Sequence, residues 1–325
     1  MMIVLHNYCK MLTPIKYNEK TYSWDKAMAM FDNAMTLDNS IFISFFSYWG
    51  HYGVPVFFFL SGYGLAQKYG QSSNFNGLSF MKYEYKKLFR LMIFGFIFYL
   101  VEYLIWFNGQ EIRIIDVGLN LLLINTLFYP YVNTIVGPYW FICSTLELYL
   151  IFALFFNKRI VWGWFLMAIT IILQILSGLY HEGLLLYINN NCAIGIVAFT
   201  LGCFLGKNII IRLHQKYLIL FFILSLILIV LSQISLYSWV LTPAFVVCNS
   251  VCFIKMLSEG IVRFLGLLGT FSPFLFISHP VSRYVCKVFF MDLNPFLSIL
   301  IYILLSILLM FIIRFIVLRL PKVKL

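Results

Sequence analysis

Long apolar runs separated by short polar segments set the pattern of the chain. Runs at 52–69, 88–107, 139–157, 160–178, 189–206, 217–234, 238–256, 264–285 and 295–317 approach the about 20 residues that a membrane-crossing helix needs. A shorter run at 1–9 opens the chain as MMIVLHNYC. The pattern predicts an all-α, polytopic membrane helix bundle of about ten transmembrane helices, the first partial, with residues 1–325 as one domain. The stretch GLNLLLINTLFYP at 118–130 is too short to cross and reads as an interfacial or re-entrant helix ending at Pro130. Residues 217–254 carry no charge, so the turn near Gln233–Ser238 is only lightly marked.

Composition strengthens this picture. Hydrophobic residues make up 62% of the 325 and charged residues 11%, against about 45–50% and about 25% in soluble domains. Mean hydropathy is +0.93. The net charge of +11 fits cytoplasmic loops facing anionic lipid, not nucleic acid. With alternating crossings and an inner N-terminus, the 23 Lys and Arg divide 16 to 7 in favour of the inner side, so both termini are expected in the cytoplasm. The seven cysteines are odd in number and mostly sit in apolar runs, which reads as small buried hydrophobes. CNSVC at 248–252 lacks metal-ligand spacing, and no metal is expected. No basic segment precedes an apolar one at the start, so no cleavable signal peptide is expected.

Ionisable groups at membrane depth are costly and mark functional sites. The candidates are His6, Glu102, Glu147 and His279. Trp140, Ser144 and Glu147 fall at i, i+4 and i+7 and share one helix face, with Glu147 about 12 Å inward from Tyr139. That carboxylate either clamps two helices together with Ser144 or lines a functional cavity. His279 is followed by Pro280 and is either a packing residue or part of a site. His51, in YWGHYGVP, falls at the outer interface. GVPVFFFLSGYG at 53–64 brings Ser61 and Gly62 behind three phenylalanines, for close helix packing or a ligand groove. Lys86, Lys87 and Arg90 cluster where the third crossing starts. They hold that end at the lipid headgroups or bind a phosphorylated ligand.

These stretches, in this order, resemble the acyltransferase-3 family of integral membrane O-acyltransferases. The family's first crossing ends on a histidine, as in MIVLH. Its second carries an FFxxSG-like pattern, similar to Phe58-Phe59-Leu60-Ser61-Gly62. A basic stretch similar to KKLFRL follows. A later crossing begins with Trp and continues into Ser and Glu, similar to WFICSTLE, and a histidine follows a Gly/Ser turn near the C-terminus, similar to GTFSPFLFISHP. The resemblance spans essentially the whole chain. The family's Glu-Glu doublet is here Glu147-Leu148, and its arginine about ten residues ahead of the first histidine has no counterpart.

The resemblance implies transfer of an acyl group, usually acetyl, from cytoplasmic acetyl-CoA to a hydroxyl of a glycan or lipid-linked saccharide at the outer face of a bacterial inner membrane. His6 is then the catalytic imidazole, as base or acyl carrier, with Glu147 and Ser144 in support. Lys86, Lys87 and Arg90 take the CoA phosphates, and the thioester arm passes along Ser61 and Gly62. Trp140, His279 and His51 are the candidate substrate contacts. Partners expected are the bilayer and the saccharide acceptor, and no nucleic acid. A transporter or flippase, or a decayed scaffold of the same family, is the competing reading. Five residues before His6 rise about 7.5 Å as helix against an about 30 Å hydrocarbon core. A reading frame beginning about ten to fifteen residues earlier is therefore expected.

Overall fold

A computed structural model describes residues 1–13, 18–36, 41–70, 75–105, 112–128, 134–156, 159–207 and 214–321. Among them there is helix and no strand. In chain order the helices are α1 Met2–Leu12, α2 Trp24–Thr36, α3 Ile41–Trp49, α4 Gly53–Tyr69, α5 Gly77–Ile105, α6 Ile114–Leu121, α7 Trp140–Ile151 and α8 Val161–Tyr180. They continue as α9 Glu182–Asn189, α10 Ile196–Gly206, α11 Gln215–Leu231, α12 Leu236–Trp239, α13 Thr242–Met256, α14 Glu259–Gly269, α15 Ser272–Phe289 and α16 Pro295–Arg319.

The all-α polytopic bundle is therefore observed, but the apolar runs do not all become full crossings. Among the described residues five helices are long and apolar enough to cross by themselves: Gly77–Ile105, Gly137–Phe156, Val161–Tyr180, Gln215–Ile234 and Pro295–Arg319. The pair α14 and α15, bent by 50°, makes a sixth if taken as one crossing. Helix α10 has 11 residues and rises only about 16 Å. Its apolar run is cut at the front by Asn191, whose side chain accepts from Ala193 N and starts a separate 3₁₀ turn. The lightly marked turn does fall where expected: Ser232–Ile234 is 3₁₀ and Ser235 caps α12.

Three further features matter for the site. The polar segment 10–50 holds α2 and α3. Helix α5 starts at Gly77, where Asn76 Oδ1 accepts from Ser79 N, so Lys86, Lys87 and Arg90 stand inside a helix. The 118–130 stretch gives short α6 and a 3₁₀ turn at Asn125–Phe128, too short to cross, as expected, while Pro130 lies outside the described residues.

Packing is closest between α4 and α10. A Cβ added at Gly62 would lie 2.3 Å from Phe199 O, one at Gly202 2.1 Å from Phe59 O, and one at Gly206 2.6 Å from Tyr63 O. Backbones in such contact gain dispersion along their whole length, the main attraction between helices in lipid. Phe58, Phe59, Phe152, Phe156 and Phe199 fill the core around this pair. A second core joins α5, α7, α15 and α16 through Met92, Phe96, Ile142, Ile277 and Ile313. A third joins α1 to α16: Tyr8 and Tyr302 stack with centroids 4.4 Å apart.

Candidate active site

Helix α1 is seated by specific bonds. Tyr302 Oη donates to Val4 O at 3.0 Å, and Tyr8 Oη is hydrogen-bonded to Ser298 Oγ. On its other side α1 lies against Gly50, where an added Cβ would be 2.6 Å from His6 Cβ and 2.7 Å from Met2 O. Only glycine allows this approach, and the approach brings His6 to the end of α3. There the buried imidazole sits with Nδ1 2.7 Å from Ser47 O. A carbonyl only accepts, so Nδ1 carries the proton, and in the neutral ring Nε2 is the lone-pair nitrogen. His51 has the same arrangement, with Nδ1 2.7 Å from Tyr48 O, and its ring centroid is 5.5 Å from that of His6.

Both histidines line a small cavity of about 30 Å³ with Ile3, Asn7, Glu19 and Trp140. A largely apolar chamber of about 60 Å³ adjoins it, walled by Val54, Pro55, Val197, Val240 and Pro243. On the other side is a polar vestibule of about 600 Å³ lined by Asn7, Lys10, Asn18, Lys20, Asn190 and Arg283, among others. Glu19 and Trp140 belong to all three walls.

The turn at 18–20 is the wall between them. Glu19 pairs with Lys10. Burial alone would push its carboxyl up, but the charge and hydrogen bond of the Lys10 ammonium hold it below the usual carboxylate range. Lys20 Nζ donates to Asn190 Oδ1 at 2.6 Å and lies 3.9 Å from the centroid of the Trp140 ring. Asn189 Nδ2 donates to Lys20 O at 2.8 Å, and Gln174 donates to Asn189 at 2.7 Å. This chain of bonds ties the turn to α8 and α9.

Burial pushes the Lys20 amine down to about 7, against a smaller raising effect of Glu19. Between that value and the ordinary lysine value, the unfolded chain binds a proton that the folded chain refuses. Stability therefore rises with pH through that window and is flat below it. The apparent melting temperature is expected to climb from pH 7 to 10, and Lys20→Met should remove most of the climb. Thermal unfolding across that range checks it; equal slopes in both proteins would contradict it.

The other expected site residues are more dispersed. Trp140, His6 and His51 meet at the cavity. Glu147 does not line it: its Oε1 accepts from Thr126 Oγ1 at 2.6 Å and its Oε2 from Cys192 N at 2.7 Å. That carboxylate joins α7 to two turns. Ser144 is fully buried, and its Oγ has no hydrogen-bond partner among the described residues. His279 is also fully buried, with neither ring nitrogen partnered among the described residues. It packs 5.4 Å from the ring of Phe276, which does line the cavity. Gly62 is covered by the Phe199 backbone and Ser61 beside it is half-buried, so α10 occupies the groove expected there. Lys87 pairs with Glu84 at 2.9 Å. Arg90 donates to Leu320 O at 2.8 Å and to Val317 O and Pro321 O, closing the C-terminal end of α16. Lys86 is exposed.

Sequence reasoning missed Glu19, Lys20, Asn190 and the Ser47 carbonyl. The only signal was the pair Glu19-Lys20 itself, one of few acids in a chain with 12 Asp and Glu.

A family model described as an acyltransferase domain (Acyl_transf_3) matches residues 27–315. Helix α1 and the 18–20 turn precede the matched residues. No curated protein and no solved structure matches the chain. The matched residues take in nearly every helix of the bundle together with His51 and Trp140 of the cavity, and the chain belongs to the acyltransferase-3 family.

Proposed function

We propose that this integral membrane acyltransferase moves a short acyl group, acetyl, from acyl-CoA to a hydroxyl of a glycan or lipid-linked saccharide, with His6 as the base. The observation that carries this reading is the imidazole whose Nδ1 is held by Ser47 O in a cavity that shares the walls Asn7, Glu19 and Trp140 with a polar vestibule. Nε2 takes the proton of the acceptor hydroxyl as its oxygen attacks the thioester carbonyl. The C–O bond forms, the C–S bond breaks, and the proton passes to the departing CoA thiolate. The largely apolar chamber of about 60 Å³ beside His51 favours a short acyl group. Glu19, beside the ring, favours the imidazolium formed on the way.

In this reading the vestibule faces outward, both termini are cytoplasmic, and the membrane is a bacterial inner membrane. The donor's phosphates lie at the basic end of α5. Lys86 and Lys87 are the cations to test, because Arg90 also closes α16. The double variant Lys86→Gln/Lys87→Gln is expected to raise the KM for acetyl-CoA about tenfold while the acceptor KM stays put. An unchanged donor KM would leave these lysines as headgroup contacts.

The reading itself is tested with the purified full-length chain in nanodiscs, acetyl-CoA and an acceptor glycan. Release of CoA thiol that depends on acceptor is the expected result. Glycan uptake into sealed proteoliposomes without thiol release would favour a transporter instead.

A further inference from the structure

The vestibule beside His6 does not end at Arg283. On the far side of that residue lies a second cleft of about 530 Å³ between α5 and α15, lined by Met11, Tyr99, Tyr103, Pro280, Arg283, Tyr284 and Lys287. Met11 and Arg283 belong to both walls. We propose that this tyrosine cleft binds an anionic saccharide, one carrying carboxylate or phosphate groups, with Arg283 as the anion clamp where the cleft meets the vestibule. The proposal rests on the acyl-transfer reading for naming that saccharide the acceptor.

Three observations carry it. The first is charge. The walls of the two spaces hold the cations Lys10, Arg283 and Lys287 against the carboxylate Glu19, which is paired with Lys10, while the carboxyl of Glu102 stands near Tyr99 and Tyr284. Among the described residues neither Arg283 nor Lys287 has a carboxylate partner, so their charge is available to a ligand. A guanidinium presents a planar fork that matches carboxylate and phosphate oxygens.

The second is the chemistry of the remaining wall. Tyr99 and Tyr284 meet edge to face with centroids 5.5 Å apart. Tyrosine rings offer flat apolar faces to the C–H surface of a sugar and hydroxyls at their rims. An apolar wall with a few convergent polar groups is the usual make-up of a small-molecule site.

The third is connection. Arg283 Nη1 donates to Asn7 Oδ1 at 3.2 Å, and Asn7 is the neighbour of His6 and lines the catalytic cavity. A sugar held at Arg283 thus places the next unit of the same chain in the vestibule that leads to the imidazole. A lipid phosphate shares the anion chemistry, but it would not need the continuity with the vestibule.

The test is calorimetric titration of the full-length protein in phosphatidylcholine nanodiscs with tetragalacturonate and with maltotetraose, without donor. Tetragalacturonate is expected to bind at least about tenfold tighter, with affinity falling as salt is added. Arg283→Gln should lower that affinity about tenfold and leave maltotetraose unchanged. If Arg283→Gln does not fold, Arg283→Lys replaces it and is expected to lose affinity, because the ammonium lacks the fork. Equal affinity for the two sugars, or full affinity in the folded Arg283 variant, overturns the proposal. So does loss of tetragalacturonate binding when phosphatidylglycerol is built into the disc, since the site would then be a headgroup site. Binding is read without turnover. A protein that binds tetragalacturonate through Arg283 but releases no CoA thiol keeps this site and loses the transfer reading. Transfer to neutral glycans alone does the reverse.

Discussion

His6→Ala is expected to reduce acyl transfer by about 10²–10⁴-fold, the range a positioned general base supplies. The alanine keeps the α1 backbone and its seat: the Tyr302 bond to Val4 O and the Tyr8–Tyr302 stack do not involve the imidazole. Abundance and melting temperature should therefore fall far less than turnover. The side chain leaves a polar pocket between Glu19, His51 and Trp140, so added imidazole is expected to restore part of the rate. Acceptor-dependent CoA release, measured with and without imidazole, checks both points. Near-normal turnover in the variant would remove His6 from the chemistry and turn attention to His51, whose ring has the same protonation pattern.

The second large effect is on the fold. Gly202→Val is expected to prevent α10 from docking on α4. A Cβ at 202 would lie 2.1 Å from Phe59 O and 2.9 Å from Tyr63 N. Both are backbone atoms, which cannot turn aside as a side chain can. Overpacking typically costs about 1–3 kcal/mol. Here the cost lies at or above the top of that range, because Gly62 and Gly206 hold the same pair of helices together and would part with it. Gly64→Val is the matched control, since a Cβ there meets nothing within 4 Å, and it is expected to change stability by less than about 0.5 kcal/mol. Thermal unfolding in detergent, followed by size-exclusion fluorescence, separates the two. A Gly202→Val protein as stable as the control would mean the contact is not needed.

The FFLSGYG stretch shows what was legible and what was not. A small-residue surface on α4 can be read from Ser61 and Gly62, but whether it meets a ligand or a helix depends on its partner. That partner is Gly202 and Gly206 on α10, an i, i+4 pair 140 residues further on, and no local pattern joins the two. The Trp140–Ser144–Glu147 face was read from helical spacing, and Trp140 does reach the cavity. Glu147 lies two turns deeper, where Thr126 and Cys192 N take its oxygens. Those partners come from irregular turns whose positions periodicity does not set.

Charge was harder still. Lys87 and Arg90 read as a cluster because they are close in sequence, yet one turns to Glu84 on its own helix and the other to the end of α16. Glu19 and Lys20 lie in a stretch with no apolar period at all. Their importance comes from Asn189 and Asn190, which draw the turn over the cavity from the far side of the chain. The lengths of the helices were hard to read for a related reason. Hydropathy measures how apolar a run is, and a side chain such as Asn191 can end a helix without lowering that average much.

The seating of α1 on α16 sets an order of events during synthesis. His6 is made well before the tyrosine that bonds Val4 O and stacks on Tyr8, which is Tyr302. Until α16 leaves the ribosome, α1 lacks its partner on that side and is held only from the side of α3. Every other wall of the cavity, from Glu19 to Phe276, precedes α16 in the chain. The helix that carries His6 is thus fully seated only when α16 arrives, although Ser47 O and Gly50 can receive the imidazole earlier.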